Sequence, residues 1–483
     1  MITRTLWLAL TVSYVTGITP QFVTGTNLFT ASIYKEAIKD GNENLLVSPL
    51  SVEVVLALAQ SGAKGETAEE IRSNLHLPNN AGETKTSFKQ LLQTFNNKEI
   101  YSLHTANKIY VGKNFAIKND FKTLATDVFL SDIENIDFGQ SVQAANTING
   151  WVEGQTNHKI KDLVDSSGLS SGTPAIMVNA LYFQANWTDK GFHEFPSLKR
   201  DFHKSATEVV EVDTMTKQAT LNYYENTEIG ATFLELPFQG GDAHMVLVLP
   251  TDKQGLADVE KQAEKVFKAQ PFRSEIVEVT MPLFKIESKI DFKKILQKLG
   301  VRKAFNLGQA DFSGISGHKG DVAVDGVLQK TYINVNEDGV EAAAATRIWF
   351  YTSGSPTPTK FFNVDHPFIF YIKANDVILF AGRVLSPSHE NLGVSKMFTN
   401  EADLSGIVAK KGDLIVGEVV QKTFIDVNEE GVEAAAAMEV FPVLGFGFMR
   451  GCPREFTVDR PFIFYIKVRG VVLFAGRVVE PKQ

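Results

Sequence analysis

Apolar residues recur along this chain at two spacings, helical in the first half and strand-like in the second. Val54, Val55 and Leu58 have helical spacing within Val52–Gln60, after a turn at Asn44–Pro49 and with Ser51 placed to cap. Gly62 and Gly65 interrupt the run. Thr67, with Glu70 three residues on, then predicts a capping box and a second helix. Ile148–Val164 reads as a third amphipathic helix, with Trp151 and Val152 on its apolar face. Ile176–Gln184 and His244–Leu249 are apolar runs of strand length, the second stopped by Pro250. Phe368–Ile372 and Val377–Phe380 predict a buried hairpin across Ala374-Asn375-Asp376. Helices first and strands later make an α+β domain.

An internal repeat decides the organisation. Val327–Ala345 (VLQKTYINVNEDGVEAAAA) recurs as Val419–Ala437 (VVQKTFIDVNEEGVEAAAA), identical at 15 of 19 positions. Pro367–Val384 recurs as Pro461–Val478, identical at 14 of 18. Leu299-Gly300-Val301 matches Leu392-Gly393-Val394, and the ADFSGI run at Ala310 matches ADLSGI at Ala402. Between the matched blocks, Thr346–His366 and Met438–Arg460 share almost nothing and differ in length, 21 residues against 23. Flanks that must pack have stayed alike while the loop between them has changed, as recognition loops do. Two copies are too few for a solenoid. The expected layout is a core domain over 18–391 and a surplus copy over 392–483, the two competing for one place in the core.

Composition narrows the function. The chain has 483 residues, 44% hydrophobic and 22% charged, with a net charge of −8. That permits a large core and argues against a nucleic-acid binder, which would want a basic stripe. Arg4, the apolar run Leu6–Val15 and small residues at Val15 and Gly17 predict a signal peptide over 1–17 and a secreted, extracellular protein. No later run is long enough to span a membrane. Cys452 is the lone cysteine, read as a tolerated residue. There is no G-x-S-x-G, H-E-x-x-H or P-loop, and the nine histidines lack metal-ligand spacing, so no enzyme, metal or cofactor is expected. Asn186-Trp187-Thr188 is a glycosylation acceptor if exposed.

Several motifs together resemble the serpin family. Asn44-Leu-Leu-Val-Ser48-Pro49-Leu-Ser51 with Gly62-Ala63-Lys-Gly65-Glu-Thr67 resembles its second helix. Ile148-Asn149-x-Trp151-Val152 through Lys159-Ile160-x-Asp162-Leu163-Val164 resembles the helix crossing its sheet A. Val178-Asn179-Ala180-Leu181-Tyr182-Phe183 with Trp187 resembles a strand of that sheet. Leu236-Pro237-Phe238 and Met281-Pro282-x-Phe284 follow in order, and Glu337-Asp338-Gly339-Val340-Glu341-Ala342-Ala343-Ala344-Ala345 is similar to the hinge of inhibitory members. The resemblance covers 25–386, and again 392–480. It implies three β-sheets, eight or nine helices and an exposed reactive loop, at about 337–366 here and about 429–460 in the second copy. It implies a monomeric inhibitor that traps a serine protease when its cleaved loop inserts into sheet A. The alternative is a non-inhibitory or substrate-like serpin with a carrier or storage role.

The resemblance carries over residue by residue. Glu337, Gly339, Val340, Glu341 and Ala342 to Ala345 would be the hinge, as would Glu429, Gly431, Val432, Ala434, Ala435, Ala436 and Ala437 in the second copy. Side chains alternate faces along a strand, so Val340, Ala342, Ala344, Thr346, Ile348 and Phe350 would point inward, all small or apolar except the threonine. In the second copy the inward set reaches Pro442, which disfavours a central strand and predicts insertion slowed or stopping short near it. Ser48, Ser51, Asn179 and Gln329 would form the shutter. Gln329 (Gln421 in the copy) stands where the family often has histidine, which puts any pH-dependence of sheet opening in doubt. Counting along the loop puts the scissile bond among Tyr351, Thr352, Ser353, Gly354 and Ser355, with Ser353-Gly354 favoured. In the second loop the candidates are Gly445, Phe446, Arg450 and Gly451, and Arg450 would suit a trypsin-like protease.

Overall fold

Proline sets the start of the first two helices. Thr19 Oγ1 accepts the Phe22 N–H at 3.2 Å, and Pro20 opens α1 (Pro20–Ala37). Pro49 opens α2 (Pro49–Gly62), three residues ahead of the expected start at Val52. A first-turn proline has its φ preset and has no amide to leave unpaired. Ser51 therefore lies inside α2 and caps nothing. The capping box is also absent. α3 (Gly65–Asn74) begins before Thr67. Thr67 Oγ1 instead accepts the Asp311 N–H at 3.0 Å, and Glu70 accepts those of Arg302 and Lys303, both at 2.8 Å.

The computed structural model describes residues 18–96, 101–188, 191–193, 195, 197–340 and 360–387, with 427–428, 431–432, 462–468 and 471–478. They fall in two units, Met1–Gly393 and Val394–Gln483. The remaining described helices are α4 (Ala81–Asn96), α5 (Asn119–Phe129), α6 (Ser141–Gln155), α7 (Leu256–Glu260), α8 (Ala263–Val266) and α9 (Lys293–Leu299). None of the described helices is long and apolar enough to cross a membrane. α6 replaces the helix expected over Ile148–Val164. Thr156 Oγ1 turns back onto Val152 O at 2.8 Å, and Asn157, His158 and Asp162 take positive φ, which ends the helix. Ile160, Leu163 and Val164 are still buried, in irregular chain.

The first sheet has six strands, in the order β10 (Phe284–Asp291), β11 (Gly326–Val335), β12 (Gly339–Val340), β4 (Ala175–Asn186), β2 (Tyr101–Gly112) and β3 (Asp132–Ile136). The second runs β1 (Leu45–Val47), β15 (Val377–Val384), β14 (Phe368–Ala374), β8 (Ala243–Pro250), β7 (Ala231–Pro237), β6 (Val209–Asn226), β9 (Arg273–Pro282) and β13 (Lys360–Asn363), with β5 (Leu198–His203) also on β6. The 18-residue β6 joins what would be two sheets into one set, pairing β5 near its start and β7 near its end.

Alternation puts the two faces of the six-stranded sheet in different cores. Met177, Leu181, Phe183, Ile333 and Val335 join the large cluster around α2. Ile176, Val178 and Ala180 pack with Ile148, Val152 and Ile160 on the opposite face, beneath α6. The β14–β15 hairpin is almost wholly buried and turns at Asn375 and Asp376, with φ of 49° and 62°. Two successive positive φ values are what a tight two-residue hairpin turn requires.

In the second unit, β16 (Val427–Asn428) pairs β17 (Gly431–Val432), and β18 (Phe462–Val468) pairs β19 (Val471–Val478). Phe462 is opposite Val478 as Phe368 is opposite Val384, and a register shift at Ile466/Lys467 matches that at Ile372/Lys373.

Candidate functional site

The site is the seam between β4 and β11. These strands pair in parallel from Ile176↔Gly326 to Tyr182↔Tyr332. Beyond that point β12 fills the seam: Val340 is opposite Ala185 on one side and Val335 on the other. Its side chain is fully buried in the large core. Val340 thus occupies the first inward position of the predicted hinge. Gly339 lies so close to β4 that a Cβ would collide with Ala185 O, so only glycine fits.

The turn feeding β12 is held on several sides. Asn336 Oδ1 accepts the Asp338 and Gly339 amides at 3.0 and 3.1 Å. Trp187, stacked on Phe238 at 4.6 Å, donates its indole N–H to Asn336 O and its amide to Asp338 O, each at 2.9 Å. Phe192 N–H donates to Glu337 O at 2.8 Å, Ser197 Oγ donates to the Glu337 carboxylate at 2.5 Å, and His193 Nε2 lies 2.8 Å from Asp338 Oδ1.

At the closed end of the seam the four predicted shutter residues meet. Gln329 Oε1 accepts the Ser48 amide at 2.9 Å, and Gln329 Nε2 donates to Ser48 O at 2.8 Å and to Asn179 Oδ1 at 2.6 Å. Ser48 Oγ donates to Leu379 O at 2.7 Å, leaving the α2 terminus uncapped by its side chain. Asn179 Nδ2 donates to Ser51 Oγ and, at 2.6 Å, to Asn107 Oδ1. All five side chains are buried. Each has a partner, as buried polar groups require. Sequence reasoning missed Asn107, which lies opposite Asn179 in the β2–β4 register, and Thr331, whose hydroxyl donates to Leu46 O at 2.8 Å.

α6 covers the seam from the other face. Lys108 Nζ pairs with Asp132 at 2.8 Å and Glu134 at 2.7 Å, and lies 5.0 Å from the Trp151 ring centroid. Asn149 binds both backbone groups of Val164 at 2.8 Å. Lys330 donates to Lys161 O at 2.7 Å and Lys289 to Asp162 O at 3.0 Å, tying the chain after α6 to β11 and β10.

Of the other predicted site residues, Asn186 is exposed beside buried Trp187. Gly431 and Val432 form β17. Glu341 to Ala345, Tyr351 to Ser355, Glu429, Ala434 to Ala437, Pro442, Gly445, Phe446, Arg450 and Gly451 lie outside the described residues, as does 1–17. Among the described residues no acidic, histidine or cysteine cluster could hold a metal.

The family model described as Serpin (serine protease inhibitor) matches residues 24–387 and 390–481. The chain is 34% identical to Alaserpin of Manduca sexta over 365 residues, which cover 74% of this chain and 92% of that protein. It is 33% identical to Antichymotrypsin-2 of Bombyx mori, covering 76% and 99%. The crystal structure of Serpin48, described as a highly specific serpin of the insect Tenebrio molitor, superposes with a TM-score of 0.71 at 47% identity, covering 76% of this chain and 98% of that one.

Proposed function

The chain belongs to the serpin family, and from that premise we propose that it inhibits a serine protease by suicide-substrate trapping. The observation that carries this reading is Val340, seated between β4 and β11 at the point where their direct pairing ends. Its neighbours along the chain, Glu341 to Ala345, are short apart from one glutamate, which alternation sends to the face opposite Val340.

The protease serine attacks a loop carbonyl among Tyr351 to Ser355, with Ser353 favoured. The Ser353-Gly354 amide breaks, an ester to the protease forms, and Gly354 leaves as an amine carrying the proton from the serine hydroxyl. The ester-linked arm then lengthens β12 into a full central strand, with Ala342 and Ala344 following Val340 inward. Insertion must break the β4–β11 pairing and the Gln329–Asn179 hydrogen bond, and it must lift α6 from the outer face. In exchange the arm gains backbone hydrogen bonds to both neighbours and drags the protease with it. The chain supplies the bait bond and no catalytic group. On this reading 1–17 is removed, the monomer acts outside the cell and exposed Asn186 carries a glycan.

The test is incubation of the full chain with a panel of serine proteases, followed by denaturing gels and intact mass. A denaturant-resistant adduct, with a peptide released by a cut within 351–355, is expected. Clean cleavage without an adduct would mean a substrate-like or carrier serpin.

A further inference from the structure

The place that residues 301–384 hold in the first unit has a second candidate occupant in the same chain. Many of the contacts its surroundings make are to backbone or to side chains that recur beyond Leu392. Thr67 and Glu70 bind the amides of Asp311, Arg302 and Lys303. Gly62 O accepts the Gly314 amide at 2.9 Å, where a side chain would strike Gly62, and the copy keeps glycine there as Gly406. Gln329 and Thr331 recur as Gln421 and Thr423.

The hairpin shows the same fit. Phe368 and Phe370 pack on Phe284, and Tyr371 on Phe267. Arg383 pairs with buried Glu260 at 3.2 Å. Phe462, Phe464, Tyr465 and Arg477 repeat all four residues. In β13, buried Phe362 recurs as Phe456, while its 62% exposed neighbour Phe361 becomes Glu455. Before the bait loop the copy's one change of length falls opposite the exposed turn 306–309. At these positions the differences follow the burial pattern of the slot, whereas buried His366 and Gly326 become Arg460 and Glu418.

We propose that segment 392–483 is an alternative occupant of this slot, so that one chain folds in either of two forms, each presenting its own loop. When the copy enters, its hinge Gly431-Val432 takes the position of Gly339-Val340, and the loop containing Arg450 becomes the bait. The displaced segment 300–391 is then an insertion after α9, and closing a long flexible loop costs little more than closing a shorter one. The choice is made during folding, because a later exchange would have to strip β11, β13, β14 and β15 from both sheets. Ala304, Ala323 and Ala374 are buried, and the copy places Met397, Ile415 and Val468 there. Such enlargements overpack a filled core and favour the first occupant.

The test makes the full chain as wild type, Gly382→Val, Gly476→Val and the double variant. A Cβ at Gly382 would stand 2.6 Å from the Phe370 ring and 2.5 Å from Leu45 O, so valine blocks the first hairpin. Hydrogen–deuterium exchange distinguishes 368–384 from 462–478 by mass. Wild type and Gly476→Val should protect 368–384. Gly382→Val should remain a folded monomer, with exchange over 462–478 slowed at least tenfold relative to wild type, and the double variant should protect neither. Protection left on 368–384 in Gly382→Val overturns the proposal, as does unfolding as complete as in the double variant. Protection of 462–478 confined to oligomers would give the slot to a neighbouring chain and overturn it too. No protease enters this readout, so its result stands apart from the inhibitory reading.

Discussion

Gln329 and Asn179 are joined across the parallel β11–β4 seam, Nε2 to Oδ1 at 2.6 Å, while the same glutamine forms two hydrogen bonds with the backbone of Ser48. One amide therefore fastens the two strands to each other and β11 to the start of α2. Removing it leaves a buried amide on Ser48 and a buried carbonyl on Asn179 without their partner, at a cost of about 1–3 kcal/mol. Gln329→Ala should lower the denaturant midpoint accordingly and open the seam to loop peptides more readily. An unchanged midpoint would remove Gln329 from the clamp.

Val340 offers a sharper test of insertion. Its side chain is fully buried between two strands. A charge there has no partner and carries a desolvation cost that the arm cannot recover. Val340→Arg should leave cleavage of the loop intact while raising the inhibitor-to-protease ratio needed for full inhibition by roughly tenfold or more, a range that corresponds to about 1.4 kcal/mol or more in partitioning. Titration of protease activity measures that ratio. A value equal to wild type would falsify a requirement for Val340 in the seam.

Much of this site was legible before the structure, for identifiable reasons. Gln329 groups with Ser48, Ser51 and Asn179 on the family resemblance, and because a primary amide both donates and accepts it bonds Ser48 and Asn179 at once. Asn107 left no local trace, since only the strand register sets it opposite Asn179. The hairpin at Asn375-Asp376 was readable from turn chemistry, whereas helix ends were not. Ser51, Thr67 and Glu70 look like caps in isolation, but tertiary partners claim their side chains. Trp187 stands out only as part of a family-like strand motif, and its burial against Phe238 and its grip on the hinge turn emerge only with Asn336 and Asp338 beside it.

Glu53 is a destabilising group within α2. It is 1% exposed, and neither carboxylate oxygen has a hydrogen-bond partner. Burial pushes its carboxyl well above the usual carboxylate range. The unfolded chain releases this proton near the ordinary value of about 4.3, while the folded chain keeps it. Stability from this group is therefore fully present below that value and is lost as pH rises toward the folded one. Glu53→Met should stabilise the protein by about 1–3 kcal/mol at pH 7.5 by removing an unsatisfied buried polar group. Melting temperatures from pH 4 to 8 should show the gain growing with pH. A gain that is constant or shrinks across that range would contradict this account.

On the proposed insertion, Trp151 should resist the departure of α6 from the seam. Its ring meets Lys108 at 5.0 Å and Tyr110 edge-on at 6.4 Å, so two residues of β2 hold the helix that insertion must lift. Lys108 is itself buried and paired with Asp132 and Glu134, so it keeps its charge and its place when the ring is removed. A cation–π contact of this kind contributes about 1 kcal/mol. Trp151→Ala should therefore speed incorporation of a fluorescent Val340–Phe350 peptide roughly fivefold, if lifting α6 limits the rate. The seam's own hydrogen bonds are untouched by this change, so adding Gln329→Ala should accelerate incorporation further and nearly independently. If Trp151→Ala leaves the incorporation rate unchanged while Gln329→Ala raises it, parting of β4 from β11 is the slow step and α6 follows passively.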